Sequence, residues 1–282
     1  MAEITELFGQ NVDAKDQSKM DWKATVEDEH CPFTNKICIK SGHKKHKIKL
    51  GTCMVTIKKH NTPLILCPQR FLHNQTIFKD CVKLMDKHQP DNEIRLIPEF
   101  KIPGGKVDFI LQSVKNDKVM DFIGIEFQAI STTGTLLNRR YELLQQLKLI
   151  DDYDPSINNG GFGINWKHIS KTILPQMNHK VHTFENLGKK LVLVVQKELF
   201  QYFQTEFNFS HLSSPANMSH PMHYYVYRVV EKNDEYVMEL DTHHSTTAKG
   251  AGKCLDYVKD NAVPRDVMMN KMEKKNFTIL TI

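Results

Sequence analysis

The spacing of apolar positions changes several times along the chain, and each change predicts a different element. Between Ile77 and Lys87 the apolar residues Ile77, Phe78, Cys81, Leu84 and Met85 fall three and four apart, which predicts an amphipathic helix. The period then drops to about two. EIRLIPEF reads as a strand running into Pro98, KIPGG as a turn, KVDFILQSV as a second strand, KNDK as a turn, and VMDFIGIEFQAI as a third strand bounded by Ser and Thr. Together these make a meander. Beyond it, Leu136, Leu137, Tyr141, Leu144, Leu147 and Ile150 return to helical spacing, with Arg139 and Arg140 between them, and such a helix would pack across the sheet. DDYDPSINNGGFG is a loop, and a second helix is expected from Trp166 to Met177. KKLVLVVQ is the clearest buried strand, ELFQYFQTEF a helix, and HYYVYRVVEKNDEYVMELDTHHSTT a hairpin turning between Lys232 and Glu235. The tail predicts helices interrupted at Pro264. No internal repeat interrupts this order.

With 282 residues, 40% of them hydrophobic, the chain can bury a large core without cysteine staples. No apolar run approaches the length of a membrane span, and MAEITELFGQ carries acids where a secretory signal needs a basic and then an apolar stretch. A cytoplasmic location follows as the expectation. In a reducing compartment the six cysteines would be thiols or metal ligands rather than disulfides.

The net charge of +5 says little, but its distribution says more. From Cys31 to Lys79 there is no Asp or Glu, while Lys36, Lys40, Lys44, Lys45, Lys47, Lys49, Lys58, Lys59, Arg70 and Lys79 are all positive. Charges of one sign repel unless something anionic offsets them, such as phosphates or metal-bound thiolates. The plainer reading is a solvated lysine-rich face. The same stretch holds Cys31, Cys38, Cys53 and Cys67, with turn chemistry from Pro32, Gly51 and Pro68 beside three of them. Four thiolates brought together would bind a tetrahedral ion, with His43, His46 and His60 as alternative donors. The competing reading is four inert core cysteines, and for Cys81 and Cys254 core packing is the expectation.

Acids are unusual inside apolar strand runs such as VDFIL and GIEFQAI, because an ionised carboxylate shielded from water needs a cation or hydrogen-bond donors. Asp108 and Glu126 are therefore candidates to share a magnesium ion, with Glu93 or Glu99 upstream and Gln128 on the same strand face as Glu126. Edge-strand acids facing solvent are the alternative.

The ordered set ELFG, CPF, CIK, GTC, LCPQR, VDF and GIEFQ resembles type II restriction endonucleases of the NotI and EagI kind, over roughly residues 6 to 135 and more weakly through KKLVLVVQ. The resemblance implies an α/β fold with a PD-(D/E)XK nuclease core, magnesium-dependent cleavage of double-stranded DNA, and four cysteines around a structural iron, with zinc the alternative metal. By position it implies Cys31, Cys38, Cys53 and Cys67 as the ligands and Asp108 and Glu126 as the magnesium carboxylates. Gln128 stands where the wider superfamily has lysine, as it does in these relatives, and neutral Gln can orient water but supplies no positive charge. A further upstream glutamate is implied, and two acids match it: Glu93 has the more family-like distance from Asp108, whereas Glu99 follows Pro98 and lies closer to the turn.

The expected organisation is a basic metal-binding subdomain over residues 1–75, contacting DNA through Lys44, Lys45, Lys47, Lys49 and Arg70, and a nuclease core over 76–282. The expected reaction leaves 5′-phosphate and 3′-hydroxyl ends at a palindromic site, which implies a homodimer and a cognate DNA methyltransferase. Two rival functions remain at this level. One is a zinc-dependent DNA-binding protein without catalysis; the other is a repair or recombination nuclease without sequence preference.

Overall fold

The computed structural model describes residues 2–16, 20–41, 49–57, 62–103, 105–134, 136–151, 162–256 and 265–274. The chain begins with β1 (Ala2–Leu7) and β2 (Gln10–Asn11), a short helix α1 (Trp22–Glu27), and the two-residue strands β3 (His30–Cys31) and β4 (Lys36–Ile37). Strands β5 (Thr52–Ile57) and β6 (Thr62–Ile65) complete a four-stranded sheet in the order β2-β1-β5-β6. A 3₁₀ segment, Pro68–Gln75, leads into α2 (Thr76–Val82).

The meander follows as β7 (Glu93–Ile102), β8 (Gly105–Lys115) and β9 (Lys118–Gln128). Asn116 and Asp117 both take positive φ, the backbone a two-residue hairpin turn requires. Next come β10 (Thr132–Thr133), α3 (Leu137–Gln146), β11 (Gly163–Ile164), α4 (Trp166–Asn186), β12 (Lys190–Gln196) and α5 (Lys197–Glu206). The hairpin β13 (Met222–Lys232) and β14 (Glu235–Thr246) turns at Asn233 and Asp234, again both at positive φ. Helices α6 (Ala248–Lys253) and α7 (Arg265–Glu273) end the described chain; Pro264 lies outside the described residues.

The main sheet has six strands in the order β14-β13-β12-β9-β8-β7. Strand β12 runs parallel to both β9 and β13, while the meander and the last hairpin are antiparallel. Parallel pairing of β9 with β12 needs a crossover, which α3 and α4 supply. Side chains alternate across the sheet: Leu191, Leu193 and Val195 join the core with Ile173, Met177, Val181 and Phe184 of α4, whereas Val192 and Val194 join Ile77, Phe78 and Phe71 on the other side. Both faces are covered, so β12 is buried along its length.

The amino-terminal sheet shares these two cores, through Val55, Leu64 and Leu66 in one and Met54 and Ile65 in the other. The join is hydrogen-bonded as well. Gln196, at the end of β12, accepts from the Ile65 N–H (2.8 Å) and donates to the Pro63 carbonyl (2.6 Å), and the Ile130 N–H donates to the Ile65 carbonyl (2.8 Å).

Three element boundaries differ from expectation. Strand β7 continues through Pro98, because an edge strand tolerates a residue with no N–H on its open side. Helix α2 stops at Val82, where the N–H groups of Lys83, Leu84 and Met85 bond three residues back and tighten the last turn. Helix α4 passes through Pro175 and runs on to Asn186, because packing of Met177, Val181 and Phe184 against the sheet outweighs one lost backbone bond. Among the described residues no helix is long and apolar enough to cross a membrane.

Candidate active site

Asp108 and Glu126 come together because their strands are hydrogen-bonded neighbours. One step beyond the Phe109–Ile125 pair, the register sets Asp108 opposite Glu126. Asp108 accepts a hydrogen bond from the Phe127 N–H through Oδ2 (2.9 Å), which fixes the carboxylate beside β9. Glu126 is buried at 4% exposure, on the sheet face covered by α4. Its carboxyl is pushed up to about 7, first by burial and then by the neighbouring charge of Asp108, against the opposing pull of Lys180 and the Asp108 N–H. Gln128 ends β9, half-buried, and its amide nitrogen donates to the Ala129 carbonyl (2.6 Å).

The two upstream acids are placed very differently. On β7 the pairs Pro98–Phe109 and Phe100–Val107 bracket Glu99, so Glu99 faces Asp108 in the ladder. It has a positive φ of 55° and pairs with Lys106 (2.9 Å). Glu93 instead pairs with Val114, far along the ladder, and its carboxylate contacts Arg95 (2.8 Å) on the surface. Strand register thus distinguishes two acids that the sequence left as alternatives, because distance along the sequence says nothing of where a hairpin folds back.

Asp108 and Glu99 line a cleft of about 680 Å³ between the main sheet and the segment that follows β3. That segment contributes Phe33, Thr34, Lys36 and Ile39, and the 3₁₀ segment contributes Gln69 and Gln75. Phe33 is held there by Arg70, whose guanidinium stacks over its ring at 4.8 Å, and by an edge contact with His73.

Arg70 is not a DNA-facing residue, contrary to the expectation from sequence. It is 2% exposed, its Nε contacts both carboxylate oxygens of Glu6 (2.8 and 3.0 Å), and its Nη2 donates to the Tyr236 carbonyl. The acid that offsets it comes from β1, outside the acid-free stretch. Lys49 is half-buried, and its backbone N–H donates to Glu29 (3.0 Å). Lys44, Lys45 and Lys47, like His43, His46 and His60, lie outside the described residues.

Cys31, Cys38, Cys53 and Cys67 are all buried free thiols in one neighbourhood. Cys53 and Cys67 are joined through the backbone, the Cys67 N–H donating to the Cys53 carbonyl (3.2 Å). Burial pushes the thiols of Cys53 and Cys67 up, and Cys67 is raised further by Cys38 and Cys31, so the four interact electrostatically. Lys40 reaches in among them: its ammonium donates to the Leu66 carbonyl and feels Cys67, Cys53 and Cys38. The donor chemistry suits iron or zinc, yet among the described residues no three His, Cys, Asp or Glu side chains are gathered as a metal cage. Cys81 and Cys254 are core residues, as their surroundings suggested.

Sequence reasoning missed Lys180. Its ammonium lies 2.5 Å from Oε1 of Glu126, with both side chains buried. The signal was available: the helical stripe Ile173, Met177, Val181, Phe184 continues beyond Met177 and places a lysine on its apolar face.

In comparison with known proteins, a family model described as Restriction endonuclease NotI matches residues 15–240. No curated protein gives a significant match.

Proposed function

Since the chain belongs to the NotI family of restriction endonucleases, and so is a type II site-specific deoxyribonuclease, we propose that Asp108 and Glu126, with Glu99 beside them, form a PD-(D/E)XK active centre that holds magnesium. The observation that carries this reading is the pairing of Asp108 with Glu126 across adjacent strands, close enough that one raises the pKa of the other. Magnesium keeps open positions for water and phosphate when held by only one or two carboxylates, which suits a pair rather than a closed cage. A divalent ion held by these oxygens would supply charge to the phosphoryl group, the attacking water and the departing 3′ oxygen.

The chain's own groups supply orientation. Asp108, fixed by the Phe127 N–H, presents its carboxylate from β8 at the edge of the cleft. Gln128 is proposed to orient water or a phosphate oxygen, since a neutral amide offers a donor and an acceptor but no charge. Cleavage leaves 5′-phosphate and 3′-hydroxyl ends. Two chains related by a dyad would present two such centres to a palindromic site, with a methyltransferase of matching specificity protecting the host DNA. Lys36, which lines the cleft, and Lys44, Lys45, Lys47 and Lys49 are proposed to contact the DNA backbone.

A structural iron or zinc on Cys31, Cys38, Cys53 and Cys67 is proposed from their donor chemistry and shared burial. The thiols are not arranged as ligands and Lys40 stands among them, so no step is assigned to that metal. Elemental analysis of the purified protein tests it, with about one iron or zinc per chain expected.

The decisive experiment is digestion of plasmid DNA with magnesium, followed by sequencing of the ends. Discrete fragments are expected, and a smear would favour a nuclease without sequence preference. Asp108→Asn and Glu126→Gln are each expected to lower cleavage by roughly 10²- to 10⁴-fold while DNA binding in calcium persists. Unchanged cleavage in either variant would overturn the assignment of these residues.

A further inference from the structure

Glu126 already has a cation beside it, and that cation belongs to the chain. Lys180 shares the buried face of α4 with Met177, Val181 and Phe184, so its side chain runs into the interior rather than into solvent. Helix and sheet approach closely at this point. A Cβ on Gly124 would stand 2.3 Å from the Phe184 ring, so only glycine on β9 lets the helix lie there. On the other side, the Lys180 Cε is 3.4 Å from where a Cβ on Gly105 would be. The ammonium is thus held at Oε1 of Glu126 at 2.5 Å, with the two side chains only 5% and 6% exposed.

Helix packing does not ask for this lysine. Methionine or leucine would fill the same stripe without the cost of desolvating a charge. What the ammonium does is offset the charge of Glu126, one of two carboxylates that face each other across β8 and β9.

We propose that Lys180 is a resident counter-ion holding the place of the divalent cation at Glu126, so that the cation can enter only by displacing or sharing that ammonium. The proposal rests on the reading of Asp108 and Glu126 as the metal carboxylates. Its consequence is a coupling between metal and DNA. In the free enzyme an arriving ion of charge +2 meets a fixed positive charge and binds weakly. When DNA is seated, a phosphate adds the negative charge that lets ion and ammonium coexist. Lys180 is accordingly a positioning residue that acts through Glu126, and it disfavours an assembled metal centre away from DNA.

The test is manganese binding to the full-length protein without DNA, followed by electron paramagnetic resonance of free Mn²⁺. Lys180→Met is expected to bind at least about tenfold more tightly than wild type, because a full charge is removed from beside the ion. Lys180→Arg keeps the charge and is expected to bind as weakly as wild type. Equal affinities in wild type and Lys180→Met, or no detectable binding by either, would overturn the proposal. Should Lys180→Met not fold, Lys180→Gln serves in its place, with circular dichroism confirming the native state. Introducing Asp108→Asn separates this proposal from its premise. If it leaves manganese affinity unchanged in both backgrounds, the metal-site reading itself fails; if it weakens binding while Lys180→Met brings no gain, only the counter-ion proposal fails.

Discussion

Arg70 and Glu6 form a salt bridge of 2.8 Å in which both side chains are 2% exposed. The guanidinium joins β1 to the 3₁₀ segment and carries Phe33, so this pair supports a wall of the cleft that Asp108 also lines. Replacing Arg70 with Met strands Glu6, whose carboxyl burial already pushes up. Arg70→Met is expected to lose roughly 3–5 kcal/mol of stability in urea unfolding. The salt dependence of DNA binding should not change, because Arg70 is buried and paired with Glu6. A shallower salt slope in the folded variant would return Arg70 to the DNA surface.

Glu99 and Glu93 make a matched comparison on one strand. Glu99 faces Asp108 in the ladder and lines the cleft, whereas Glu93 is tied to Arg95 on the surface. Glu99→Gln is expected to slow cleavage by about tenfold or more, and Glu93→Gln to stay within about twofold. Initial rates on plasmid DNA decide it, and the reverse order of effects would restore Glu93.

Close contact of α4 with the sheet predicts a cost for any side chain at Gly124, where a Cβ would meet Phe184 at 2.3 Å. Gly124→Ala should destabilise the fold by about 1–3 kcal/mol through overpacking. Adding Phe184→Leu should recover part of that loss, since it removes the clashing ring. Additive losses in the double variant would show that the two positions do not touch.

His223 sets an acid limit on the fold. It is fully buried, donates through Nε2 to the His220 carbonyl, and so accepts from Nε2 of His243 through Nδ1 (2.9 Å). Burial, reinforced by His243, holds its pKa down at about 3. Below about pH 6.5 the unfolded chain takes up a proton that the native state refuses, so stability falls as pH drops from 6.5 toward 3. The loss from this one group is about 2 kcal/mol at pH 5 relative to pH 8. Unfolding of His223→Gln across the same range should show a gentler decline; an identical pH profile would remove His223 as the source.

The order of elements was legible in the sequence because the periodicity of a helix or strand is a property of neighbouring residues. The meander, the buried strand KKLVLVVQ, the final hairpin and the candidacy of Asp108 and Glu126 could all be read from local runs. What lay beyond reach depended on partners distant in the chain. Glu6 neutralises Arg70 across 64 positions, and Lys180 reaches Glu126 across 54. The placement of Glu99 near Asp108 and of Glu93 away from it waited on hairpin register, and the approach of α4 on a glycine fitting one phenylalanine ring. Tertiary structure made these decisions because a buried charge is stable only beside its counter-charge, and which residue supplies that charge is settled when surfaces from separate parts of the chain close on each other.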